Sequence, residues 1–191
     1  MTVAGLVLAA GEGRRFGGPK ALAEVDGERL VDRAVRVLRE AGLPTTYVVR
    51  GAAPLAVPGA EVVDNPGWVE GMGSSLRAGL AALAPDVDAA VVLLVDQPGL
   101  TAAAVRRVVG AAGPSPETAV VVATYDGRRG HPVLLGRRHW PAVAEVAVGD
   151  RGARDFLVSR ADGVVELECG DVAAADDVDT PADLDRLRRQ R

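Results

Sequence analysis

The chain has 191 residues, 22 basic against 26 acidic side chains for a formal charge of −4, and 48% hydrophobic residues. That length and apolar content suit one domain, expected over residues 1–191, and disfavour disorder or dependence on a structural metal. The mild acidic balance gives no broad positive field, so neither nucleic acid nor an anionic membrane is expected as a partner. A single cysteine, Cys169, excludes a disulfide framework and a multi-cysteine metal site and fits a reducing compartment.

In chain order, the first apolar run, Val3 to Ala9, breaks at once into Gly11-Glu12-Gly13-Arg14-Arg15 and has no basic leader. It reads as a buried strand and not as a secretory signal, and the cytoplasm is the expected location. Leu30, Ala34, Leu38 and Ala41 share one helical face, with Gly42 at the stop position. Strands are expected at Thr46 to Arg50 and Ala60 to Asp64, then a helix through Leu76, Leu80 and Leu83, then a strand at Ala89 to Val95. Thr101 caps a helix that buries Val105, Val108, Val109 and Ala112; Gly113 to Pro116 is a loop and Ala119 to Thr124 a strand. Pro132 to Leu135 and Val164 to Leu167 are further strand candidates, and Thr180, Pro181 and Asp183 open a last helix with Leu184 and Leu187 on its apolar face. Several strands are apolar throughout and helical segments alternate with them, which predicts an α/β fold with helices on both faces of a mostly parallel sheet.

The most informative segment follows the first strand: Leu8-Ala9-Ala10-Gly11-Glu12-Gly13-Arg14-Arg15-Phe16-Gly17-Gly18-Pro19-Lys20. Its glycines let backbone N–H groups approach an anion, and Arg15 and Lys20 supply counter-charge for a polyphosphate; the competing reading is a plain turn with solvated arginines. Lys20 is the one lysine in a chain whose other basic residues are all arginine, a compact point charge where a planar fork serves elsewhere. A Walker A loop is rejected, because with Gly13 and Gly18 at its glycine positions Pro19 stands where the lysine belongs and no hydroxyl residue follows it. A dinucleotide fingerprint fits poorly, since Phe16 occupies the third glycine position and helical periodicity resumes only near Leu30.

Asp96, in Asp96-Gln97-Pro98 at the end of the Ala89 run, lies at the sheet edge where ligands of open parallel sheets gather. It is either a ligand of Mg²⁺ beside a triphosphate or a turn-forming carboxylate. Asp179, before Thr180-Pro181, is either a second metal ligand or an acid favoured by the helix dipole. Gly71-Met72-Gly73-Ser74-Ser75-Leu76 leads into a helix, with the serines as N-cap or as nucleotide contacts. His131, in a Gly130-His131-Pro132 loop, completes no nucleophilic triad but can contact an acceptor; Asp171, Asp176 and Asp177 read as solvated loop acids. Trp68 and Trp140 are too far apart to suggest a nucleic-acid stacking platform.

Taken in order, these motifs, with Asn65-Pro66 and Gly149-Asp150-Arg151-Gly152-Ala153-Arg154, resemble the MobA-like nucleotidyltransferases, most closely the molybdenum cofactor cytidylyltransferase branch. The resemblance implies a Rossmann-like three-layer α/β/α sandwich of the nucleotide-diphospho-sugar transferase type. It implies that Leu8, Ala9, Ala10, Gly11, Gly13, Arg15 and Lys20, together with Gly73, Ser74, Ser75 and Asp96, bind the NTP. Lys20, Arg15 and Asp96 would be catalytic, Asp96 and Asp179 would hold Mg²⁺, and Gly130, His131, Pro132, Asp150 and Arg154 would face the acceptor. Ala10, in place of the glycine of guanylyl-transferring relatives, points to CTP, with molybdopterin as acceptor and a molybdoenzyme as a client. The alternatives carried forward are a non-catalytic nucleotide- or molybdopterin-binding chaperone and transfer to a different phosphorylated small molecule.

Overall fold

A strand that is apolar on both sides must be covered on both sides, and the sheet meets that demand with a helical layer on each face. The structure is a computed structural model describing residues 2–189; Met1, Gln190 and Arg191, at the ends of the expected 1–191 domain, lie outside the described residues. Strand β1 (Val3–Leu8) is buried along its whole length. A glycine-rich loop and a 3-10 turn (Lys20–Leu22) follow, then a small hairpin of β2 (Glu24–Val25) and β3 (Glu28–Arg29). Helix α1 (Leu30–Glu40) leads to β4 (Thr46–Arg50) and β5 (Glu61–Asp64). Helix α2 (Met72–Ala82) precedes β6 (Ala89–Leu94), and α3 (Ala102–Gly110) precedes β7 (Val120–Tyr125) and β8 (Arg128–Gly136). Short helices α4 (Trp140–Val146) and α5 (Arg154–Ser159), strand β9 (Val165–Glu168) and helix α6 (Pro181–Arg189) complete the described chain.

The large sheet has the order β5-β4-β1-β6-β8-β7-β9, with β8 antiparallel to both neighbours and the other pairings parallel. Side chains alternate between two cores: Val91 and Leu93 of β6 join α1 and α3 through Leu30, Leu38 and Val105, while Ala90 and Val92 join α2, α4 and α5 through Leu76, Trp140 and Phe156. This is the period-2 logic of a strand serving two helical layers.

Two expectations need correction. Pro132 to Leu135 is part of a nine-residue strand, so Gly130 and His131 lie within β8 and not in a loop. The cause is a tight turn at Asp126-Gly127, where both residues have positive φ (51° and 73°), which folds β8 back along β7 as a hairpin. The helix at Leu76 starts at Met72 with Gly71 as its N-cap, so neither serine caps it; Ser74 Oγ instead donates to the Gly71 carbonyl at 2.8 Å. The caps expected at Thr101 and Thr180 are present: Thr101 Oγ1 accepts from Ala104 N–H, and Thr180 and Asp183 bond reciprocally.

Candidate functional site

Sheet topology alone brings the first two parts of the site together. Strands β1 and β6 run parallel with Leu8 opposite Leu94, so the loop after Leu8 and the residues after Leu94 leave the same edge side by side. Here the chain order reverses, β4 lying on one flank of β1 and β6 on the other, which is the switch point where α/β sheets open a crevice. The Val178 N–H donates to the Asp96 carbonyl at 2.8 Å, pinning the strap that carries Asp179 beside Asp96.

The loop itself is shaped by Gly13. Its φ is +66°, its carbonyl accepts from the N–H groups of Phe16, Gly17 and Gly18, and a Cβ there would overlap the Gly18 carbonyl oxygen. That winding delivers Lys20 back to the sheet edge.

Lys20 Nζ donates to Asp96 Oδ2 at 2.8 Å and to Asp179 Oδ1 at 2.6 Å, and Arg15 pairs with Asp179 Oδ2 at 3.0 Å. The Lys20 side chain is 15% exposed, so burial works against its charge, but the bonds to Asp179 and Asp96 outweigh that and hold its pKa above the ordinary lysine value. Asp179 is held below the ordinary carboxylate value, first by its bond from Lys20 and then by the charges of Lys20 and Arg15. Both ends of this cluster therefore stay ionised at neutral pH.

Two cavities adjoin at this edge, and Lys20, Arg15 and Asp96 of the cluster line the smaller one. The smaller, about 480 Å³, is walled by Leu8, Ala10, Gly11, Gly13, Arg15, Lys20, Ser75 and Asp96, and also by Trp68 and Met72. The larger, about 1170 Å³, is walled by Gly130, His131, Asp150 and Arg154 together with Tyr125, Arg128 and Arg129. Asp150, Leu8, Met72 and Leu94 border both. Burial pushes the His131 imidazole down to about 4, partly opposed by the Asp96 charge, so it is neutral at pH 7.

Several residues expected at the site stand behind its walls. Ala9 points into the first core. Gly73 packs so closely on Ala147 that a Cβ would overlap the Ala147 carbonyl, and Ser74 is taken up by Asn65 and Gly71. Pro132 lines neither cavity, and Asp179 reaches the site through Lys20 and Arg15. Asp177, read from sequence as a solvated acid, is exposed but accepts from Gln97 Nε2 at 2.9 Å, and partial desolvation plus the nearby Asp96 and Asp179 charges raise its carboxyl above the ordinary value. Trp68, Met72 and Gln97 were not anticipated as wall residues; their signal was adjacency, since each lies within a few residues of a motif that was recognised.

Chemically, the smaller cavity combines a glycine-rich loop and cationic side chains with a stretch of apolar wall, and the Asp96 and Asp179 carboxylates are close enough to share one cation. Residues 5–164 match the family of MobA-like NTP transferase domains. A relative named nicotine blue oxidoreductase, from Paenarthrobacter nicotinovorans, is 38% identical over 196 residues, 97% of this chain and 96% of its own length. A probable molybdenum cofactor guanylyltransferase from Opitutus terrae is 42% identical over 106 residues, 53% of this chain and 51% of its own. The crystal structure of Rv0371c from Mycobacterium tuberculosis H37Rv aligns with a TM-score of 0.83 at 31% identity, covering 99% of this chain and 98% of that one. Its complex with manganese aligns at 0.81 and 29% identity over 100% of both chains. The layer order and these neighbours make the fold a three-layer sandwich of the nucleotide-diphospho-sugar transferase type.

Proposed function

Because the chain belongs to the MobA-like NTP transferase family, we propose that it transfers a nucleoside monophosphate from an NTP to a phosphate-bearing acceptor and releases pyrophosphate. CTP is the donor favoured by Ala10, and molybdopterin is the acceptor favoured by the order of the motifs. The observation that carries this reading is the half-buried Lys20 ammonium, held between Asp96 and Asp179 where the glycine-rich loop returns to the sheet edge.

Asp96 and Asp179 form an all-oxygen donor pair already arranged around one positive charge, which suits a hard ion that takes one or two carboxylates plus substrate phosphates. Mg²⁺ is the proposed ion, and the manganese complex of the M. tuberculosis neighbour supports a divalent metal. When bound, such an ion polarises phosphoryl oxygens as a Lewis acid. The chain's own residues do the rest. Loop N–H groups and Arg15 receive the triphosphate, and Lys20 screens repulsion between it and the incoming acceptor anion. An acceptor phosphate oxygen bonds to the α-phosphorus, the bond from that phosphorus to the bridging oxygen breaks, and pyrophosphate leaves with its electron pair. The nucleophile is already an anion, so alignment and charge stabilisation suffice without a protein base.

Turnover is measured as pyrophosphate release with CTP, GTP, ATP and UTP, Mg²⁺ and molybdopterin. CTP should give the highest rate, and Asp96→Ala should lower it by about 100-fold or more. Full turnover by Asp96→Ala with every productive pair would overturn the metal assignment. Pyrophosphate release with another phosphorylated acceptor but not molybdopterin would redirect the acceptor, and tight pterin or molybdoenzyme binding with no turnover would favour the chaperone. The relative named nicotine blue oxidoreductase supports a second reading, an oxidoreductase, which turnover of an added redox cofactor in place of pyrophosphate release would establish.

A further inference from the structure

The smaller cavity is lined from both sides of the sheet, and its lining is of two kinds. Lys20 comes from a turn whose Ala21 is packed into the first core, whereas Trp68 and Met72 pack against the second. The charged lining includes Arg14, Arg15 and Lys20 with Glu12 and Asp96; the apolar lining includes Trp68, Val69 and Met72, with Val69 71% exposed. Trp68 is the one aromatic side chain in that wall among the described residues.

The indole is held in place before any ligand arrives. A Cβ on Gly51 would lie 2.6 Å from Trp68 Cγ and 2.8 Å from the Ala10 carbonyl, so the Trp68 side chain rests on the Gly51 backbone next to Ala10. The turn that bears it is tied down by buried Asn65, whose carbonyl accepts from Trp68 N–H and whose Nδ2 donates to Ser74 and Ser75 Oγ at 2.9 and 3.1 Å. Yet Trp68 remains only half-buried, on a wall that opens to the cavity. A rigid, half-exposed indole of this sort offers stacking area at little entropic cost.

We propose that Trp68 is the stacking wall for the nucleobase, so that the NTP lies along the cavity with its ring at Trp68 and its phosphates at Lys20. This rests on the nucleotide reading above and adds to it the residue that grips the ring and the polarity of the bound ligand. Any flat heteroaromatic ring can stack on an indole, including one belonging to the acceptor. The base is favoured because Trp68 lines the cavity of the glycine-rich loop and not the larger one.

The test uses the full chain with Trp140→Phe, which leaves Trp68 as the sole tryptophan, titrated with CTP, GTP and inorganic tripolyphosphate and read by fluorescence and calorimetry. CTP and GTP should quench Trp68 emission, while tripolyphosphate should bind without doing so. Trp68→Ala should weaken NTP binding by roughly 5- to 150-fold and leave tripolyphosphate affinity unchanged, and Trp68→Phe should keep most of the NTP affinity. If Trp140→Phe does not fold, the difference between the natural chain and Trp68→Phe supplies the same fluorescence signal. Equal weakening of NTP and tripolyphosphate by Trp68→Ala would make Trp68 scaffold only and overturn the proposal. Tight NTP binding with silent fluorescence and an unaffected Trp68→Ala would overturn it while sparing the nucleotide reading; quenching by a free pterin but by no NTP would assign the wall to the acceptor. Absence of any NTP or tripolyphosphate binding would remove both.

Discussion

The two cavities are made in different ways. The walls of the smaller rise from parallel strands β1 and β6 and from backbone bent by glycine, with one cation locked between two acids. The larger opens over the antiparallel strand β8 and is bordered by Arg128, Arg154, Asp126 and Asp176 as well as by the apolar Val122, Val133 and Leu157. A site whose charges are already paired and whose backbone is fixed is preorganised for one kind of ligand group, whereas a wide, mixed wall admits variation in what it holds. The difference teaches where to look for a shared function and where for a private one: relatives with different names can keep the first cavity and alter the second.

Lys20→Met strikes hardest at the preorganised side. It leaves Asp96 and Asp179 facing each other without the ammonium that bonds both. Pyrophosphate release should fall by about 100- to 1000-fold, the usual cost of removing one positioned charge-stabilising donor. Metal affinity should move the other way, since two carboxylates freed of their ammonium attract a divalent ion more strongly; Mn²⁺ binding read by calorimetry checks this. Loss of turnover with unchanged or weakened Mn²⁺ binding would mean that the ammonium, and not an ion, is the charge those acids are there to hold.

On the larger cavity's side, His131 gives a pH test. Burial holds the folded imidazole at about 4 against an ordinary 6.5, so between those values the unfolded chain binds a proton that the folded chain refuses. Stability from this group is therefore complete above about pH 6.5 and is lost as the pH falls toward 4. In urea unfolding at pH 7.5 and 4.5, His131→Gln should gain about 2 kcal/mol on the natural chain as the solution is acidified. A stability difference that does not change with pH would show that the imidazole is solvated, and the two cavity walls would then be less different than they look.

The same division explains what was legible in the sequence. The parallel half announces itself: Val3 to Leu8 and Ala89 to Leu94 are apolar at consecutive positions because both sides are covered, and Asp96 follows from the rule that such strands deliver ligand groups at their carboxyl ends, while Lys20 and Asp179 were marked by the glycine-rich loop and the helix start that carry them. The antiparallel half was obscured because β8 begins Arg128-Arg129-Gly130-His131, a polar stretch that overhangs the core and carries no strand signal of its own. Its one marker was the Asp126-Gly127 turn, repeated at Asp26-Gly27 in the small hairpin. The wall residues Trp68 and Gln97 were signalled only by their adjacency to recognised motifs, because which side chains border a cavity depends on how distant segments pack, and local periodicity does not encode that.

Gly13→Ala sharpens the comparison at its finest point, because it adds one methyl group and removes no charge. The residue sits at φ +66°, and its new Cβ would overlap the Gly18 carbonyl oxygen, so the turn that carries Phe16, Gly17 and Gly18 on the Gly13 carbonyl must open. Strain of about 1–3 kcal/mol is expected, and because the loop is at the surface the chain relieves it by local rearrangement and not by unfolding. Thermal stability should drop by only a few degrees, whereas tripolyphosphate and NTP affinity should fall together by about 10-fold, since the loop N–H groups and Lys20 are displaced as a unit. A protein that keeps its affinity while losing stability would show that the phosphate end tolerates a looser backbone than its geometry implies, and that preorganisation resides in the Lys20 cluster alone.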